Sequence, residues 1–302
     1  MVVSDAPRYP HLLPAVQLLA DAPNAVRTRR IWTDRWLGYA RAEAALMKLE
    51  ELRLFPKRNR MPNLLIVGPS NNGKTMIVEK FRRDHPAGDF KTARNTIRVP
   101  VVKVQMPPAP DERRFFAAIS AAIGASDRGT EPVAVVQSVA VALLRATQAE
   151  MLIVDEVHNL LSGTSNQQRR FLNVLRWLGN ELQIPLVAVG TADALRAIQS
   201  DDQLASRFMP FALSPWRAGA EFSRLVGTLE AVMPLKEPSN LSEPRVAQKL
   251  LACSEGILGE VVALVSRAAI AAIEAGEERI RLETLEAVGF VPPSRRRRVD
   301  FH

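Results

Sequence analysis

Eight consecutive residues, Gly68-Pro69-Ser70-Asn71-Asn72-Gly73-Lys74-Thr75, fit the spacing G-x-x-x-x-G-K-[ST], and the chemistry of that spacing is the capture of a phosphate chain. Glycines allow the backbone to turn tightly. If a helix follows, its unpaired N–H groups and the positive end of its dipole face the anion. Lys74 is then placed to reach β- and γ-phosphates, and the Thr75 hydroxyl to hold Mg²⁺. The backbone from Gly68 through Thr75, with Met76 opening the helix, is the candidate nucleotide site, with ATP and Mg²⁺ as its cofactors.

A second stretch carries acids. Met151-Leu152-Ile153-Val154 runs into Asp155-Glu156, the pattern of a buried strand delivering carboxylates to the carboxyl end of a sheet. Asp155 would orient Mg²⁺ with Thr75, and Glu156 would polarise an attacking water. Farther on, Leu186-Val187-Ala188-Val189 ends in Gly190-Thr191. Thr191 either touches the γ-phosphate or the water, or it caps the next helix. Arg207 closes a helix in Ser206-Arg207-Phe208; it is a solvated arginine or a finger inserted into a neighbouring subunit's site.

The elements that must position these residues read as an α/β fold. Asn63-Leu64-Leu65-Ile66-Val67 is short and continuously apolar, as a strand buried on both faces is. A second strand is expected over Thr96–Gln105, with Pro100 marking an edge or an early position, and a last one over Phe208–Leu213. Asp111 is expected to cap a helix holding Phe115, Phe116, Ile119 and Ile123. Arg113 and Arg114 in its first turn oppose the dipole and so point to an external anion. Helices are also expected over 131–147 and 167–182. The apolar spacing of 26–54 predicts one or two helices packed beside the phosphate loop, with Trp32 and Trp36 as core anchors one turn apart. Lys57-Arg58-Asn59-Arg60 is a solvated linker or a phosphate contact. Beyond Ser214-Pro215-Trp216 only helical patterns occur. The domains expected are a helical extension over 1–60, a nucleotide-binding core over 61–214, a helical lid over 215–290 and a disordered basic tail over 291–302.

The chain has 302 residues, a formal net charge of +8 and one cysteine, Cys253. Positive charge favours an anionic partner such as nucleic acid. A lone cysteine excludes an intramolecular disulfide framework. His11, His85, His158 and His302 show no metal-ligand spacing. No apolar run approaches a membrane span and no signal peptide is visible, so a bacterial-type cytoplasmic location without membrane contact is expected.

Taken together in this order, the nucleotide motifs, Thr191, Ser206-Arg207-Phe208 and the helical end resemble an AAA+ ATPase of the initiator and transposition-regulator branch. The closer similarity is to the TniB family, relatives of the TnsC and MuB target-selection ATPases. GPSNNGKT, VPVVKVQMPPAPDERRFF, MLIVDEVHNL, LVAVGTADAL and LASRFMPFALSPW carry it, over roughly residues 60 to 217. The resemblance implies an αβα sandwich around a parallel five-stranded sheet, with a small C-terminal helical lid. It also implies an ATPase that oligomerises as a ring or helical filament on duplex DNA and recruits a DDE-family transposase, with a TniQ-like targeting protein as a further partner. Gly68, Gly73, Lys74, Thr75, Asp155 and Glu156 then take the family's nucleotide roles, Thr191 is the first sensor and Arg207 the finger acting in trans. DNA contacts fall on Arg113 and Thr130, with Arg114 and Arg128 beside them. Gly256-Ile257-Leu258-Gly259-Glu260 lacks the arginine that related initiators use as a second sensor. Either Arg267 replaces it or the lid senses ATP weakly. A helicase-loader-like adaptor is the alternative function, and a metabolic P-loop kinase a third.

Overall fold

A computed structural model describes residues 8–88, 97–125 and 129–296. The chain divides into two compact units, one spanning Arg41–Ser214 and the other joining the chain up to Ala40 with the chain from Pro215 onward. Three helices precede the first strand: α1 (Pro14–Ala20), α2 (Asn24–Trp32) and α3 (Ala40–Arg53). The sheet unit then alternates β1 (Asn63–Val67), α4 (Lys74–Asp84), β2 (Val101–Gln105), α5 (Glu112–Ala122) and α6 (Val133–Ala146). It continues through β3 (Met151–Asp155), a 3-10 turn at Val157–Ser162, α7 (Ser165–Leu182), β4 (Leu186–Gly190), α8 (Ala192–Gln199), α9 (Asp202–Ala205) and β5 (Phe208–Ala212). After it come α10 (Ala220–Ala231), α11 (Pro244–Ser254), α12 (Leu258–Glu274), α13 (Leu282–Ala287) and α14 (Pro293–Arg296).

All five strands pair in parallel in the order β2-β3-β4-β1-β5. The runs with no polar interruption occupy the centre: every residue of β1, β3 and β4 is buried. That follows from the helical crossovers, which cover both faces of a parallel sheet and leave a central strand no wet side. The edge strands break the pattern. β5 carries Pro210, which an edge tolerates because the missing N–H faces outward, and β2 alternates toward solvent at Gln105. Pro100 does precede an edge strand, but β2 starts after it at Val101, so residues 97–100 of the expected span are not part of it; Thr96 lies outside the described residues.

Aromatic packing fixes the helices over the sheet. Phe115 of α5 stands edge-on to Phe116 at 5.6 Å and to Phe171 of α7 at 5.0 Å, all three buried. Such rings each stabilise the fold by about 1.5–3 kcal/mol through burial. Asp111 caps α5 as expected, its carboxylate accepting from the Arg114 backbone N–H at 2.9 Å. α7 begins two residues earlier than expected because Thr164 and Gln167 close a capping box.

The first 60 residues are divided between the units instead of forming one extension. α2 stops at Trp32, the chain is non-helical to Tyr39, and α3 restarts at Ala40. Trp32 and Trp36 therefore do not share a helical face, and Trp32 is 58% exposed. The buried anchors here are Ile31 and Leu37, which join Trp216 and residues of α10, α11 and α12 in the core of the helical unit. Arg27 of α2 is only 2% exposed, and its guanidinium donates to both Glu278 oxygens at 2.6 and 2.9 Å. Burial opposes ionisation of Glu278 most strongly of any single effect, yet the Arg27 hydrogen bonds and charge, joined by Lys236, together hold that carboxyl below its ordinary value. Among the described residues no single helix is long and apolar enough to cross a membrane; α11 and α12 pass that test only jointly, across a 118° bend.

Candidate nucleotide site

The phosphate loop links β1 to α4 at the carboxyl end of the sheet. Asn71 (φ 60°) and Gly73 (φ 85°) adopt the left-handed conformation that turns the chain into α4. Gly68 is required for another reason: a Cβ there would lie 2.5 Å from the Leu213 carbonyl oxygen. The Asn72 side chain, 3% exposed, donates to that same oxygen at 2.8 Å, and Gly68 N–H donates to Gly190 O at 3.2 Å. The loop is thus tied to the ends of β4 and β5 before any ligand contributes.

Lys74 folds its ammonium onto the Gly68 and Pro69 carbonyls at 2.9 and 2.6 Å. Burial pulls it below the ordinary lysine value, against the opposing pull of Glu156 and Asp155. A polyphosphate would supply the counter-charge that burial denies it. The Thr75 hydroxyl donates to Asp155 Oδ2 at 2.9 Å, and Asp155 Oδ1 accepts the Glu156 backbone N–H at 2.9 Å. A hydroxyl and a carboxylate in one coordination sphere fit Mg²⁺, which takes one or two protein oxygens beside phosphate and water oxygens. Among the described residues no cluster of three or more His, Cys, Asp or Glu side chains competes as a metal site.

Two further residues join this group without having been singled out from the sequence. Lys103 of β2 reaches Glu79 of α4 at 2.8 Å and approaches Asp155 Oδ2 at 3.4 Å, bridging the helix of the phosphate loop to the acidic strand. His158, in the 3-10 turn, brings Nδ1 to 3.0 Å from Glu156 Oε2. The distance is that of an ion pair, though the alignment does not make a hydrogen bond. A lysine in an alternating strand and a histidine after two acids give no signal by spacing; the pairing of β2 with β3 brings Lys103 in, and the 3-10 turn after Glu156 folds His158 back onto it.

Thr191 emerges where expected, because β4 lies between β1 and β3. It occupies the cap position of α8 but makes no side-chain cap bond, and its Oγ1 is buried with no hydrogen-bond partner. The capping alternative is therefore not realised. A buried hydroxyl without a partner costs free energy unless something outside the chain satisfies it. Thr191→Val, which keeps the shape and removes the hydroxyl, should leave thermal unfolding and ATP affinity near wild type while slowing hydrolysis roughly 10²-fold. Parallel losses in all three measurements would instead assign Thr191 to packing.

Arg207 is not brought to this group. Its carbonyl accepts the N–H of Asn63, at the start of β1, and its guanidinium bonds Asn180 Oδ1 at 2.7 Å. The phosphate loop leaves the other end of β1, roughly 13 Å along a strand rising about 3.3 Å per residue. Burial first, and then the charges of Arg60 and Arg176, hold the Arg207 guanidinium below its ordinary value. It lines a groove of about 840 Å³ with Arg58, Arg60, Phe55 and Met209.

The DNA candidates lie at the start of α5 and the approach to α6. Arg113 Nε contacts Glu131 O at 3.3 Å, which draws Arg113 toward the segment holding exposed Thr130. Arg114 is exposed and sits 3.4 Å from its own capping Asp111. Arg128 lies outside the described residues. In the helical unit, Arg267 places its guanidinium 5.6 Å from the centre of the Phe290 ring.

Solved structures share this architecture at low sequence identity. The Aeropyrum pernix ORC2 protein, in ADPNP and ADP complexes, is 15% identical over 86% of this chain and 71% of that one, with a TM-score of 0.60. Cdc6p from Pyrobaculum aerophilum is 17% identical over 85% and 69% of the two chains, also at 0.60. The Aeropyrum pernix ORC1 protein in complex with DNA is 17% identical over 86% and 68%, at 0.55. These likenesses establish the AAA+ fold: a five-stranded parallel sheet between helices, with a helical C-terminal region. No curated protein matches the sequence. The family model described as bacterial TniB protein matches residues 27–218, a span that includes both nucleotide motifs, Thr191 and Arg207. With more than half its length so matched, and with the loop and acidic strand meeting at one end of an AAA+ sheet, the chain belongs to the TniB family.

Proposed function

We propose that the chain is an ATP-gated switch of DNA transposition, which assembles on target duplex DNA while ATP is bound and leaves it after hydrolysis. The observation that carries the reading is the separation of Arg207 from its own phosphate loop, at opposite ends of the strands. An arginine so placed serves a phosphate only on another copy, and ATP then becomes the joint between subunits. Within each joint Glu156 accepts a proton from the attacking water, while Lys74 and Arg207 offset charge building on the phosphate oxygens. Thr75 and Asp155 would hold Mg²⁺, which when bound would supply further neutralisation of the phosphates. Thr191 offers its unpartnered hydroxyl to a γ-phosphate oxygen or the water.

A ring or helical filament of such joints aligns the basic residues at the start of α5 along the duplex. The assembly would then present a repeated surface to a DDE-family transposase and a TniQ-like targeting protein. The net charge of +8 and the exposed arginine side chain at the start of α5 support the DNA contact.

The test is duplex binding with ATP, with ADP and without nucleotide. Tight binding is expected only with ATP, and equal affinity in all three would end the switch reading. Arg113→Ala and Arg114→Ala should each weaken ATP-dependent binding similarly on unrelated sequences. Each should also reduce the slope of log affinity against log salt by about one. A loss confined to one sequence would show base readout in place of backbone contact.

A further inference from the structure

Glu156 stands at a left-handed backbone position, φ 59° and ψ 37°, with its N–H committed to Asp155 Oδ1. Its carboxylate, a third exposed, needs a fixed direction if it is to meet one water molecule. Among the described residues the group within ion-pair reach of that carboxylate is His158, whose Nδ1 lies 3.0 Å from Oε2.

His158 itself rests on the sensor strand. A Cβ on Gly190 would come 3.4 Å from the His158 backbone nitrogen, 3.5 Å from Nδ1 and 2.7 Å from the Ala194 Cβ. Glycine at 190 is required by the close approach of Ala194 in α8, and the 3-10 turn holding His158 lies within ordinary contact of the same point at the end of β4, one residue before Thr191. Two buried polar atoms without hydrogen bonds, Thr191 Oγ1 and His158 Nδ1, flank that glycine. One belongs to the residue at the tip of β4, and the other lies 3.0 Å from the base.

We propose that His158 is a positioning residue: its Nδ1 aims the Glu156 carboxylate, and its seat on Gly190 couples that aim to Thr191 at the tip of β4. The inference rests on Glu156 being the base and Thr191 meeting the phosphate. When Thr191 engages an oxygen, the end of β4 shifts against the imidazole. Nδ1 then comes into line with Oε2, and the carboxylate turns to the water. Hydrolysis thereby waits on γ-phosphate contact. The plain alternative, that the imidazole only fills space beneath the 3-10 turn, makes a different demand on substitutions. Space-filling is satisfied by any side chain of similar bulk, whereas aiming requires a donor at the position of Nδ1.

The experiment compares His158→Leu, His158→Asn and His158→Gln in the full chain, measuring ATP affinity, kcat and thermal unfolding with Mg²⁺. Leucine keeps bulk without a donor, asparagine places an amide N–H near the position of Nδ1, and glutamine places one nearer Nε2. His158→Leu should lower kcat roughly 10- to 100-fold, as misplacement of a reacting group by about 1 Å does, with ATP affinity and unfolding unchanged. Asparagine should restore most of the rate and glutamine should not. Combined with Thr191→Val, the leucine variant should cost less than the product of the two single effects, since both act on one coupling. Wild-type kcat in the leucine variant, equal rates for leucine and asparagine, or a kcat loss matched by lost affinity would each overturn the proposal. Glu156→Gln is run alongside. Wild-type hydrolysis in that variant would remove the base itself, a failure distinct from a failure of His158 to aim it.

Discussion

Lys74→Ala and Arg207→Ala, each inactive when purified alone, should recover ATP hydrolysis when mixed. Alone, the first lacks a cation at its own phosphate loop, and the second lacks the one it lends to its neighbour. Loss of a trans arginine costs 10³–10⁵ in turnover in related phosphoryl-transfer sites. In an equal mixture, about a quarter of head-to-tail joints pair an intact loop with an intact arginine, and these should turn over normally. The geometry makes the prediction strict, because Arg207 is fixed at the start of β5 beside Asn63 while the loop leaves β1 after Val67. A mixture as inactive as its components would show that Arg207 does not complete a neighbour's site. Activity of Arg207→Ala alone would show that no arginine is needed there.

Glu156→Gln should reduce hydrolysis by about 10²–10⁴-fold, the usual contribution of a general base, while ATP binding is retained. Glutamine fills the same volume and keeps the backbone conformation, but it accepts no proton from water. Because its charge near Lys74 is also removed, affinity for ATP should hold or rise slightly, and the DNA-bound assembly should outlast that of the wild type after excess ATP is withdrawn. Dissociation from DNA, followed by light scattering or labelled duplex, reads the lifetime directly. A variant that no longer binds ATP would place Glu156 in ligand binding and not in water activation.

The parts of this site visible in the sequence were those written in local pattern. β1, β3 and β4 appear as uninterrupted apolar runs because a strand buried on both faces has no polar side. The loop from Gly68 to Thr75 is legible because its spacing answers one ligand geometry. What depends on pairing between distant segments was not legible. That Arg207 lies far from its own loop follows from the register of Asn63 with Phe208, and neither residue announces it. Lys103 reads as an edge-strand lysine until β2 pairs with β3. Whether Thr191 caps α8 could be decided only from whether its hydroxyl bonds the first turn of that helix, and it does not. Trp32 was misplaced because a helical apolar period was carried across Thr33-Asp34, where the helix stops.

The helical unit draws α2 from before the sheet and α10 to α13 from after it, with Arg27 and Glu278 closing the two parts together. On the ribosome those parts are separated by the synthesis of the whole sheet unit. The N-terminal helices wait, with Ile31 and Leu37 uncovered and Arg27 without Glu278, until the segment from Pro215 onward emerges. The sheet unit has by then all its strands in hand and can condense first. Long loop closure makes the helical unit the late and slower event. A chain halted after Ser214 would therefore hold a complete sheet beside an unfinished helical segment, a form that quality-control proteases would recognise by its exposed apolar face.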